Sequence, residues 1–174
     1  MPRRSRTTGL GSPADVLRGT RDALTLARKQ HDIFINAEAA EQTAGLFTLA
    51  VYGRAVMHAL EHMRRFDRQR FNAWYAPYET FMAADPLMRY FLDLRDRVLK
   101  EGPPSAGVVH IKIEQSQLPP ESLPINVEIA TIDLPAFPAH HAGNPILGIQ
   151  EMTSDYIAYL TRLVADAEHH FASP

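Results

Sequence analysis

The chain holds 174 residues, 45% of them hydrophobic, with eighteen Lys+Arg against twenty Asp+Glu, a formal charge of −2 and no cysteine. That length suits one domain, since domains most often run to roughly 100–150 residues, and it can bury a core without disulfides. The missing cysteines exclude a disulfide framework, a thiolate nucleophile, an iron–sulfur cluster and a cysteine zinc site, while the near-neutral charge argues against a wholesale electrostatic binder of nucleic acid.

Met1 to Gly11 carries Arg3, Arg4 and Arg6 with no apolar segment behind them. Residues 1–12 therefore read as a disordered basic tail and not as a signal peptide. Residues 13–174 read as a single, mainly helical domain: a bundle over 13–102, a proline-rich insertion and loop over 103–148, and a closing helix over 149–172. Proline sets these divisions. Eight of the thirteen prolines lie between Pro103 and Pro145, and only Pro77 and Pro86 interrupt Ala14 to Gly102. Proline removes a backbone donor and clashes with a helix interior, so the first hundred residues can be helical and the next forty cannot.

Ser12-Pro13 opens the first helix as cap and first helical residue, and Val16, Leu17, Leu24 and Ala27 carry it towards Gln30. A second, longer helix covers Ala37 to Phe66. Leu46, Leu49, Ala50, Tyr52, Gly53, Val56, Met57, Leu60 and Met63 form one apolar arc on it, against a polar stripe of Arg54, His58, Glu61 and Arg65. Thr43 to Leu60 is the most apolar stretch, but Arg54 and His58 inside it mark a buried bundle helix and not a membrane span. With no export signal and no membrane partner in view, the expected location is the cytoplasm.

Arg68 to Ala84 is aromatic-rich, and Pro77 inside it predicts a kinked helix or two short ones meeting near Tyr75-Ala76. Phe71, Trp74, Tyr75, Tyr78 and Phe81 could stack on bases, but aromatics at helical spacing are more often core. Asp85-Pro86 caps the next helix, Leu87 to Lys100, which Gly102 and Pro103-Pro104 end. The period then changes. Val109 to Glu114 and Ile125 to Ile129 alternate apolar and polar residues, predicting a small two-stranded β insertion before the C-terminal helix. Two strands cannot bury themselves and should lean on the helices. Leu134 to Gly148 reads as a loop, and Met152, Tyr156, Leu160, Leu163 and Ala167 line one face of a helix from Gln150 to Phe171.

His58-Ala59-Leu60-Glu61-His62 matches the inverted zincin pattern, in which two histidines four apart share a metal and a glutamate activates water. No second glutamate in helical context declares itself as a third ligand, so the plainer reading of His58, Glu61 and His62 is a solvated or interhelical polar stripe. The pairs His140-His141 and His169-His170 are poor chelators, because neighbouring side chains point in different directions. The second pair suits a helix C-terminus. The glycine-rich phosphate loops and the Gly-x-Ser-x-Gly elbow are missing, and the sequence assigns no cofactor and no metal ligand.

Arg95 is the most informative single residue. Leu87, Phe91, Leu94 and Val98 make one apolar row and Met88, Leu92 and Leu99 the row beside it; Arg95 projects between them. Arg89, Asp93, Asp96 and Lys100 fall on the other side. An unpaired charge on a buried face is expensive, so Arg95 should find an ion-pair partner such as Glu61, or face a cleft or a subunit interface.

Leu94-Arg95-Asp96-Arg97-Val98-Leu99-Lys100-Glu101-Gly102, on a helix opened by Asp85-Pro86, resembles the signature helix of the HEPN superfamily. These are helical bundles whose motif is arginine, a polar residue, and histidine a few positions on. Arg95 matches the arginine and Asp96 the polar residue, and the resemblance covers roughly Ala37 to Gly102. It implies a homodimer with two such motifs in one cleft, and in the ribonucleases a metal-independent attack of the RNA 2′-hydroxyl on the adjacent phosphate. Histidine would move the proton and arginine would stabilise the charged transition state. Here Lys100 stands where the histidine is expected, and a surface lysine stays protonated at neutral pH. The expected function is a catalytically degenerate, dimeric HEPN-like binding module with an RNA, nucleotide or protein partner. The alternatives are an active HEPN-type endoribonuclease drawing on His58 or His110, and a small-molecule or metal-binding bundle built on His58, Glu61 and His62.

Overall fold

A computed structural model describes residues 11–37, 39–102, 106–113, 125–132 and 145–171, with side chains over 11–37, 41–102 and 148–171. The chain is mainly helical. Helix α1 (Pro13–Asn36) is followed by α2 (Ala39–Glu61), a short 3₁₀ helix (His62–Arg65), α3 (Arg68–Ala84), α4 (Pro86–Glu101), the strands β1 (Ala106–Ile113) and β2 (Ile125–Ile132), and α5 (Pro145–Phe171). The basic tail through Leu10, the connector between the strands and the pair His140-His141 lie outside the described residues.

The local starts and stops follow capping chemistry. The Ser12 hydroxyl accepts from the Asp15 N–H at 3.2 Å and donates to the Asp15 carboxylate at 2.8 Å, so two polar groups of the first turn are satisfied reciprocally. Asp85 does the same for α4, accepting from the Met88 N–H at 3.0 Å. At the other end Gly102 adopts φ +86°, a conformation glycine reaches without a Cβ penalty.

Three helix boundaries differ by more than two residues from those expected of the sequence. Helix α1 continues to Asn36, because no breaker follows Gln30 and Phe34 supplies one more buried anchor. The second helix tightens into a 3₁₀ turn at His62 and so ends its α-register early. Of the two alternatives for the Pro77 segment the structure has the single helix, α3, with Pro77 on its exposed side. Helix α5 starts at Pro145 and not at Gln150, since proline is well tolerated as the first helical residue.

Helix α2 is the axis of the bundle and packs on α1, α4 and α5. Leu46, Leu49, Ala50, Val56, Leu60 and Met63 from its predicted arc are buried. Gly45 lets α1 come close: a Cβ there would stand 2.9 Å from the Phe34 amide nitrogen and 3.0 Å from the Gln30 carbonyl oxygen. Polar pairs Arg21–Glu168 (2.6 Å), Arg28–Thr161 (2.9 Å) and His31–Ser154 (3.2 Å) join α1 to α5. The partner number falls as the α1 number rises, so these helices run antiparallel.

The aromatic run of α3 is core in its first half, while Tyr78 is half-buried and Phe81 is exposed. Phe71, Trp74 and Tyr75 are buried, and Phe71 stacks on Tyr75 with centroids 5.0 Å apart. The run also locks α3 to the end of α5: the Trp74 indole N–H and the Tyr78 hydroxyl both donate to Asp166, each at 2.6 Å. His170 is less a dipole cap than a member of this cluster, its ring stacked 6.0 Å from Trp74 and its carbonyl accepting from Arg70.

The bonds from Tyr78 and Trp74 hold the Asp166 carboxyl below the ordinary aspartate value of 3.8. A carboxylate depressed on folding contributes stability that is fully present above that unfolded value and is lost as pH falls below it. Asp166→Asn should therefore cost about 1 kcal/mol at neutral pH and make the loss of stability below pH ~4 shallower. Urea titrations across that range check it; an unchanged acid limb would contradict the assignment.

The strands pair antiparallel, with Val109 opposite Ile129, Ile111 opposite Val127 and Ile113 opposite Ile125. Apolar positions are thus matched to apolar positions, as the alternation of the sequence requires. The packing of their side chains against the helices lies outside the described residues.

Candidate functional site

The resemblance directs attention to α4. Its buried face consists of Met88, Tyr90, Phe91 and Leu94, so one of the two apolar rows is only partly covered. Leu92 is 47% exposed and Leu99 60% exposed. Arg95, one turn from each, lies between them with 29% of its side chain exposed. The arginine is therefore at the edge of the core and not inside it, because α3 and α5 leave this flank of α4 open.

Arg95 does not pair with Glu61. Its guanidinium forms an ion pair with the neighbouring Asp96, whose second oxygen lies 3.2 Å from the Lys100 ammonium. The expectation that Asp96 and Lys100 face away from Arg95 is thus corrected: adjacent helical residues diverge at Cβ, but a long arginine side chain can fold back along the surface. All three motif positions meet in one network. Beside it, Arg97 pairs with Glu101 at 3.3 Å, and Asp93, Asp96, Arg97, Lys100 and Glu101 edge a shallow depression of about 460 Å³.

The electrostatics limit what this network can do. Hydrogen bonds from Arg95 and Lys100 hold the Asp96 carboxyl below the usual carboxylate range, so it is ionised throughout the physiological range. It can position its two cations but supplies no proton near neutral pH. Among the described residues, the partners of Arg95, Asp96 and Lys100 are one another, and no histidine joins them. Such a site can hold an anion or make an interface; no histidine among the described side chains supplies a proton shuttle, and the His110 side chain lies outside them.

The histidine motif is arranged differently. Glu61 accepts from Arg54 at 3.2 Å and lies 3.3 Å from His58 Nδ1. The rings of His58 and His62 meet edge to face at 5.3 Å, and burial together with Arg65 and His58 pushes the His62 pKa down. Arg54, His58 and Glu61 thus form the polar stripe that helical spacing predicts. Arg65 leaves it because the chain has already tightened at His62. Among the described residues no group of three His, Asp or Glu side chains gathers as a metal-ligand set.

A third cluster is one that sequence reasoning overlooked. Arg64, Arg65 and Arg68 gather at the turn from α2 into α3. Their spacing, two adjacent arginines and a third within one turn in a chain of nearly balanced charge, was the available signal. No helix among the described residues is long and apolar enough to cross a membrane. No family model matches the chain, and neither a curated protein nor a solved structure matches it.

Proposed function

We propose that this chain is a HEPN-like, catalytically degenerate binding module that pairs with a second copy through the open flank of α4 and engages RNA or a nucleotide. The strand pair between α4 and α5 is, in this reading, an insertion into the bundle. One observation carries it: Arg95 is tied to Asp96 and Lys100 at a surface where Leu92 and Leu99 stand exposed. Two exposed leucines flanking a half-buried arginine make a partly apolar patch around a residue type that is enriched at interfaces. Among the described residues Arg95, Asp96 and Lys100 partner only one another, which supports binding over cleavage.

Leu99→Glu places a like-signed charge from each copy on that flank and should shift the protein from dimer to monomer. Sedimentation equilibrium of wild type and variant, with circular dichroism to establish that the variant is folded, checks this. A wild-type chain that is monomeric at high micromolar concentration would contradict the pairing.

A further inference from the structure

A second polar site lies on another part of the molecule, independent of the α4 flank. Between the 3₁₀ turn and α3 is an open groove of about 600 Å³, lined by Arg64, Arg65, Arg68, Asn72, Tyr75 and Glu79. Small-molecule sites occupy roughly 300–1,000 Å³, so the size is that of a ligand and not of a single ion.

The charge in the groove is unbalanced and ordered. Arg68, Asn72, Tyr75 and Glu79 follow the i, i+4, i+7, i+11 spacing of one helical face, which spans roughly 16 Å along α3. Arg64 and Arg65 join Arg68 at one end, and the single carboxylate, Glu79, stands at the other. Arg64 is held in place, its Nε donating to Asn72 at 3.2 Å and its guanidinium lying 5.1 Å from the centre of the Phe71 ring. Arg65 and Arg68 are exposed and have no ion pair among the described residues. A positioned guanidinium beside two exposed ones offers several planar N–H forks at one end of the groove, chemistry matched to phosphate oxygens. A bare anion would have no use for the far end, where Glu79 repels it. A hydroxyl-bearing carrier would, because a carboxylate accepts hydrogen bonds from hydroxyl groups. The Tyr75 hydroxyl between the two ends keeps its proton, since burial pushes it up to about 12, so it can donate as well.

We propose that this groove binds a small phosphate monoester, its phosphoryl group on Arg64, Arg65 and Arg68 and its hydroxyl-bearing carrier extending towards Glu79. No bond is made or broken; the site recognises and holds.

The test is isothermal titration of the full chain at fixed ionic strength with ribose 5-phosphate, ribose and inorganic phosphate. Ribose 5-phosphate should bind saturably at one site per chain, more tightly than inorganic phosphate, and ribose should give no saturable signal. Arg65→Ala and Arg68→Ala should each weaken ribose 5-phosphate roughly tenfold, since each removes a charge-assisted contact to phosphate. Arg18→Ala, an exposed arginine on α1, should leave the affinity unchanged. Glu79→Gln should weaken ribose 5-phosphate while leaving inorganic phosphate no weaker. All four substituted residues are exposed, so the variants should melt with the wild type. Absence of saturable binding, equal losses in Arg18→Ala and Arg68→Ala, or equal affinities for the ester and inorganic phosphate would each overturn the proposal.

Discussion

Phe91→Ala is expected to lower stability by about 3–5 kcal/mol, a large share of what holds a domain of this size folded. Phe91 is 1% exposed, and its ring lies parallel to that of Tyr156, 4.0 Å away at an interplanar angle of 6°. Tyr90 meets it edge-on at 5.5 Å. Truncation removes the stacking partner of a buried tyrosine and leaves a void between α4 and α5. The surrounding helices cannot close it without shifting α2, which packs on both. Leu26→Ala, on an α1 side chain that is 40% exposed, should change stability by no more than about 0.5 kcal/mol. Urea unfolding followed by far-ultraviolet circular dichroism compares the two. Equal midpoints would show that Phe91 and Tyr156 are not a packed centre.

Gly53→Ala should destabilise by about 1–3 kcal/mol, against the sign that helix propensity gives. Glycine to alanine inside an exposed helix normally stabilises by roughly 0.5–1 kcal/mol. At position 53 an added Cβ would lie 2.4 Å from both the Tyr156 Cε1 and its hydroxyl oxygen. Tyr156 cannot retreat, because it is buried and stacked on Phe91. The clash and the propensity can be separated by a double-mutant cycle. In a Tyr156→Leu background the obstructing ring is gone, and Gly53→Ala should become neutral or mildly stabilising. A loss of the same size in both backgrounds would locate the strain elsewhere.

Gly53 also marks how far the sequence could be read. The arc on α2 places it among buried positions, but only the structure shows that its missing side chain makes room for Tyr156. Helix starts and stops at Ser12-Pro13, Asp85-Pro86 and Gly102 were legible because capping is local chemistry, decided within a turn. Phe71, Trp74 and Tyr75 were legible as core from their helical spacing, but Phe81, in the same run, is exposed. Pro77 left two alternatives, one helix or two, and the structure has one, because whether a helix absorbs a proline depends on neighbours.

Arg95 shows the same limit. A helical projection places it correctly between two apolar rows, yet it cannot tell which row the rest of the fold covers. The packing of α2, α3 and α5 around α4 buries Phe91 and Leu94 of one row and leaves Leu92 and Leu99 of the other open. That choice turns an expected buried ion pair into a surface network with Asp96 and Lys100. The arginine groove escaped for a related reason. Helical spacing assigns Arg65 to the stripe of α2 only if the α-register continues, and the 3₁₀ turn redirects it towards Arg68.

Binding at α4 without catalysis is the central claim. Incubating the purified chain with end-labelled single-stranded RNA in excess chelator, and resolving both complexes and products, tests it most directly. The expected result is retention of intact RNA, weakened in Arg95→Ala at an unchanged melting temperature, with no cleavage above the buffer control. Metal-independent cleavage that disappears in Arg95→Ala would contradict it and identify an active ribonuclease.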